Sequence, residues 1–176
     1  MVSFFTFIPI KPLIMRRLSC LLFFFSFHLI AQAVSLPAVI NSHMVLQRDM
    51  QVPIWGWGEA GEKVTVSFAG QKKETTVGTN GDWMVKLGKL KASATPSTLT
   101  VLGNNEIKLQ NVLVGEVWLC SGQSNMEWRM NQCINCINNQ EEEISNVNNN
   151  QIRMFTVPMD LSGELIQKSK WQVANP

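Results

Sequence analysis

Two serines stand at positions 121 and 124 in the segment "LCSGQSNME", with Gly122 and Gln123 between them. A serine placed where a strand ends and a helix begins is suited to acyl transfer. Open α/β sheets hold ligands outside the carboxyl ends of their strands. A helix start also offers unpaired N–H groups and a partial positive charge to a developing oxyanion. On this reading Ser124 Oγ is the attacking atom, and Gly122 lets the backbone turn sharply before it. Ser121, still leaving the strand, is the weaker candidate. A structural use competes: Ser124 to Glu127 reads S-x-x-E, the capping box in which the serine hydroxyl accepts from the amide three residues on. "GQSNM" also departs from the G-x-S-x-G elbow, because Met126 stands in the place of the last glycine. Spacing alone favours the cap.

Other groups with chemical potential are sparse. Cys133 and Cys136 form "CINC", a C-x-x-C spacing. No second pair or suitable histidine follows, so zinc is not expected. A chance surface pair is the simpler reading, with a local disulfide next. His43 lies in a β-rich region and matches no catalytic motif. Glu116 and Glu127 have no identifiable partner carboxylate, which makes them structural. Trp55, Trp57 and Trp83 could stack on sugar rings, although aromatic residues on strands usually fill cores. No metal or organic cofactor is implied.

The elements that must position these residues fall into three stretches. Residues 34–114 read as an antiparallel β module of short strands and turns. "KVTVSF" alternates Val64, Val66 and Phe68 against Lys63, Thr65 and Ser67, the period of a half-buried strand. "DWMVKL" does the same with Trp83, Val85 and Leu87. Asn80 and Gly81 just before it signal a two-residue hairpin. "VPIWGW", "TLTV" and "EIKLQNVLV" add further strands. Residues 115–176 change character. "EVWLC" is an apolar run without alternation, as in a parallel strand covered on both faces. A helix from about Asn125 towards Cys133, a loop, and a short helix over 141–146 follow. "QIRMFTVP" then supplies a second buried strand. The set is the first β-α-β part of an incomplete α/β domain, with a right-handed crossover.

Residues 1–33 read as a signal peptide. Lys11, Arg16 and Arg17 flank the apolar run "LSCLLFFFSFHLI", and "AQA" at 31–33 offers small residues for cleavage. The run is about 13 residues, short of the roughly 20 that span a bilayer. Residues 1–14 read as an extension of the gene model, because "MRRLSCLL" is the more usual start. The mature chain is therefore expected to be exported, to a periplasmic or extracellular location, with no stable membrane span. A net charge of +2 in 176 residues, without a basic stripe, excludes nucleic acid as an expected partner.

The long motif "VLVGEVWLCSGQSNMEW" resembles the signature of the sialate O-acetylesterase family, secreted carbohydrate esterases of the SGNH hydrolase class. "HMVLQRDMQVPIWGWGEAGEKVTV", "IRMFTVP" and "WQVANP" resemble segments of the same family, so the likeness spans essentially the whole mature chain. It implies a β-sandwich-like N-terminal module followed by the start of a flavodoxin-like SGNH domain, here truncated. It also implies that Ser124 is the nucleophile, that its own N–H belongs to the oxyanion hole, and that Gln123 and Asn125 border the substrate. The implied substrate is an acetylated carbohydrate, sialic acid or a xylan-type polysaccharide. Two departures stand out. Arg129 occupies a position where the family usually has proline. The family's later glycine and asparagine oxyanion donors and its D-x-x-H base have no counterpart in this chain. The expectation is an N-terminal part of an esterase, inactive by itself. A non-catalytic carbohydrate-binding or structural remnant is the alternative.

Overall fold

The computed structural model describes residues 33–129, 132, 137–159 and 166–174. Residues 1–32 of the stretch 1–33 expected to be a signal peptide, and the pair Cys133 and Cys136, lie outside the described residues.

The β module is two sheets facing one another. Strands β1 (Val45–Gln47), β3 (Lys63–Phe68), β4 (Gln71–Thr76), β6 (Ser93–Leu102) and β7 (Glu106–Gly115) form a five-stranded sheet in the order β1-β7-β6-β3-β4. Strands β2 (Val52–Trp57) and β5 (Asp82–Leu87) form an antiparallel ribbon. The alternation read from sequence sets the inner faces. Val64, Val66 and Phe68 of β3 are buried, as are Val52 and Ile54 of β2 and Trp83, Val85 and Leu87 of β5. Leu99, Val101, Leu109 and Val112 complete the core. Fully burying an aliphatic side chain of this size is worth about 1.5–3 kcal/mol, so this shared interior is what holds the two sheets together.

The module differs from expectation in two places. The sheet is mixed, because β1 runs parallel to β7, pairing Val45 with Leu113 and Gln47 with Gly115. Asn80 and Gly81 do not close a two-residue hairpin. Gly81 N–H donates to Gly78 O, only Gly81 takes a positive φ, and β5 pairs with β2 instead of with its sequence neighbour β4.

Beyond Gly115 the differences are larger. Residues 116–122 form no strand, and Trp118 and Leu119 are 83% and 93% exposed. The expected strand would need covering layers on both faces, and the described residues supply none. Strand β8 (Asn149–Met154) is mostly exposed and pairs antiparallel with β9 (Gln172–Ala174), so the expected parallel β-α-β unit is not seen. The short acidic helix is present as α1, Gln140–Asn146, with Glu141, Glu142 and Glu143 in its first turn, where they favour the positive end of the dipole. Among the described residues no helix is long and apolar enough to cross a membrane.

Candidate functional site

The path to Ser124 starts at the parallel end of β1 and β7. The side chain of Gln47 spans the exit from β7. Its Oε1 accepts from the Val117 N–H at 2.8 Å, and its Nε2 donates to Glu116 Oε2 at 2.9 Å. Arg48 N–H donates to Gly115 O at 2.9 Å. The Arg48 guanidinium pairs with Asp49 at 2.6 Å and lies 3.8 Å from Glu116. Its hydrogen bond and charge hold the Asp49 carboxyl below the usual aspartate range. The outgoing chain is thus fixed for three residues and then runs exposed to the serine turn.

Ser124 opens a single 3-10 turn, Ser124–Glu127, closed by Met126 N–H to Gln123 O at 2.9 Å. The N-cap residue is Gln123, in extended conformation, and no side chain caps the turn. The capping box therefore does not form. In a 3-10 turn that begins at Ser124 itself, the serine is already inside the turn and its hydroxyl is not the cap. Ser124 is exposed, and among the described residues Oγ has no hydrogen-bond partner. Gln123 and Asn125 flank it, both exposed. Gly122 has no positive φ, and a Cβ there would meet Met126 Cγ at 2.6 Å, so the exposed methionine side chain would have to move aside.

A groove of about 910 Å³ passes beside this turn, with Val117, Trp118, Cys120 and Met126 on one wall and Met154 and Phe155 of the β8 region on another. Cys120 is a free, exposed thiol. No histidine or carboxylate is hydrogen-bonded to Ser124 among the described residues. His43 is engaged elsewhere, its Nδ1 lying 2.7 Å from Asn111 Nδ2. Asn111 marks a β-bulge in β7: Gln110 and Asn111 together oppose the single residue Thr98 of β6, and the φ of Asn111 is +57°. Bulges re-aim side chains, and here Asn111 reaches both His43 and Arg153, whose Nη2 donates to its Oδ1 at 3.1 Å. This bulged asparagine escaped sequence reasoning; the polar pair Gln110 and Asn111 interrupting "IKLQNVLV" was its only trace. No group of three or more His, Cys, Asp or Glu suited to a metal exists among the described residues.

Comparison with solved structures shows what kind of protein shares this arrangement. A carbohydrate acetylesterase from Xanthomonas citri superposes with a TM-score of 0.72 at 32% identity, over 82% of this chain and 33% of that one. The described architecture is thus shared with part of that enzyme. In sequence, sialate O-acetylesterase of Rattus norvegicus is 38% identical over 138 residues, covering 71% of this chain and 24% of the relative. The Homo sapiens sialate O-acetylesterase is 39% identical over 140 residues, covering 72% and 26%. The chain belongs to the sialate O-acetylesterase family, and it spans about a quarter of the length of these relatives. No protein-family model matches it.

Proposed function

We propose that this chain is the nucleophile-bearing part of an exported serine esterase that removes O-acetyl groups from sialic acid or other acetylated carbohydrates. Ser124 Oγ adds to the acetyl carbonyl, and the Ser124 N–H is one donor to the resulting oxyanion. The C–O bond to the sugar breaks, its oxygen takes a proton, and an acetyl-serine remains. Water then adds to that ester and releases acetate and the free serine. The proton carrier is a base from outside this chain, the D-x-x-H histidine that the family likeness implies, and the downstream part of the SGNH domain belongs to the same reading. Gln123 and Asn125 border the acetyl group.

The observation that supports this most directly is an exposed Ser124 hydroxyl with no hydrogen-bond partner among the described residues, in a stretch homologous to sialate O-acetylesterases. The likeness to the Xanthomonas citri enzyme supports the wider class of acetylated carbohydrates. The test uses the complete enzyme that contains this chain. Ser124→Ala should abolish hydrolysis of an acetylated sugar and of a chromogenic acetate, and a fluorophosphonate probe should label Ser124 alone. Retained turnover in the variant rejects the assignment.

A further inference from the structure

The outer face of the β2–β5 ribbon carries side chains that are wholly or partly left out of the core. The inward positions are Val52, Ile54 and Gly56 on β2 and Trp83, Val85 and Leu87 on β5. Trp55 and Trp57 therefore share the opposite face, with Met84 paired across from Trp55 and Asp82 across from Trp57. Residues two apart on a strand are about 6.7 Å apart, and directly opposed residues about 5 Å, so these four form one compact surface. Together with Asn80 they line an open pocket of about 530 Å³. Trp57 is 37% exposed and Met84 50%, while Trp55 is half-buried against the core and so held in place. The backbone beneath is rigid. Trp57 O accepts from Ser35 N–H at 2.9 Å and from the Trp83 indole at 3.2 Å, and Trp57 N–H donates to Ser35 O at 3.0 Å.

The polar groups on this face are arranged for hydroxyl recognition. The indole N–H groups of Trp55 and Trp57 have no hydrogen-bond partner among the described residues, in contrast to those of Trp83 and Trp171. Asn80 Nδ2 donates to Asp82 Oδ2 at 2.7 Å, which orients the carboxylate and leaves Oδ1 to accept. Flat apolar rings, two free donors and one oriented acceptor match a pyranose ring, whose C–H face is apolar and whose edge carries hydroxyls. The Asp82 carboxylate disfavours an anionic sugar. Lys86, the cation on this face, lies one outward step beyond Met84 and pairs with Pro53.

We infer that the Trp55, Trp57, Asp82 and Met84 face is a binding site for a neutral pyranose unit of a glycan chain, built from residues the Ser124 turn does not use. The inference stands apart from the esterase reading, because binding is measured without turnover.

The test is affinity electrophoresis of the full chain in gels containing soluble β-glucan, arabinoxylan or polysialic acid, with Ser124→Ala, Trp57→Ala and Trp57→Phe beside the wild type. A neutral polymer should retard the wild type and Ser124→Ala equally. Trp57→Ala should weaken binding about tenfold or more, and Trp57→Phe should restore most of it. On the unaltered chain, the corresponding neutral oligosaccharide should shift the indole ¹H–¹⁵N resonances of Trp55 and Trp57 but not that of Trp118. That reading holds even if Trp57→Ala fails to fold. Retardation by polysialic acid alone, binding that survives Trp57→Ala, or unmoved Trp55 and Trp57 resonances would overturn the inference.

Discussion

Gln47 holds Val117 by its main chain: the side-chain oxygen of the last residue in β1 accepts the amide proton of the second residue past β7, at 2.8 Å. The same side chain donates to Glu116, so one glutamine clamps both residues that leave the sheet towards the serine turn. Gln47→Ala removes an acceptor and a donor at an exposed site, a loss of about 1 kcal/mol or less. Its sharper effect is local. Hydrogen exchange at the Val117 amide should speed up severalfold while exchange in β3 stays unchanged. Equal protection of Val117 in the variant would show that the clamp is idle.

Glu62 should matter far more to stability. It is a buried carboxylate, 8% exposed, accepting the N–H groups of Glu59 and, across the module, Asn104. It ties the turn after β2 to the turn between β6 and β7. Glu62→Ala leaves both amides without that acceptor and should cost about 2–4 kcal/mol, read as a lower urea midpoint with unchanged slope. Glu62→Gln, which keeps one acceptor oxygen, should lose less than half as much. Gly103 is part of this junction, because a Cβ there would collide with Glu62 Oε1 and the Val34 side chain.

Arg153 points the other way. Its Nε and Nη1 are buried without partners among the described residues, and burial lowers its pKa. Substituting an apolar residue of similar length removes a partly buried guanidinium with two unpartnered nitrogens, a change that is often neutral or stabilising. Arg153→Met should raise the thermal midpoint of the 176-residue chain or leave it level, whereas Asn111→Ala should lower it by removing the acceptor of Nη2. A drop in Arg153→Met beyond about 1 kcal/mol would mean the guanidinium is better satisfied than its two silent nitrogens suggest.

The Arg48 and Asp49 pair sets a pH signature. Its hydrogen bond and charge place the folded carboxyl below its unfolded value, so the unfolded chain binds the extra proton. The pair's contribution is present above the unfolded aspartate pKa and fades as pH falls through the folded one. Carboxyl ¹³C titration should put Asp49 below an ordinary aspartate, and Arg48→Gln should bring it back up. Coincident titrations in the two proteins would contradict the pairing.

The strands legible from residues alone are those whose alternation coincides with burial. β3 and β5 each set apolar residues on every second position, and each meets a facing layer that buries them. β4 was invisible because "QKKETT" has no apolar face; it is an edge strand held by backbone pairing to β3. β1 is three residues long, too short to carry a period, and its parallel pairing with β7 depends on the path of residues 36–44. "VWLC" failed in the opposite sense. An apolar run specifies a buried strand only where layers exist to cover it. At the serine turn the spacing favours the cap, and only the family likeness decides for a nucleophile. The hydrogen bonding removes the cap, since the turn starts one residue earlier than S-x-x-E requires.

The bare indole of Trp118 and the neighbouring Leu119 carry a practical cost for anyone handling this polypeptide. Greasy side chains standing in water beside an open thiol at Cys120 invite self-association and air oxidation. Concentrated preparations of the 176-residue chain should scatter light and form reducible oligomers. Mild detergent with a thiol reductant should disperse them.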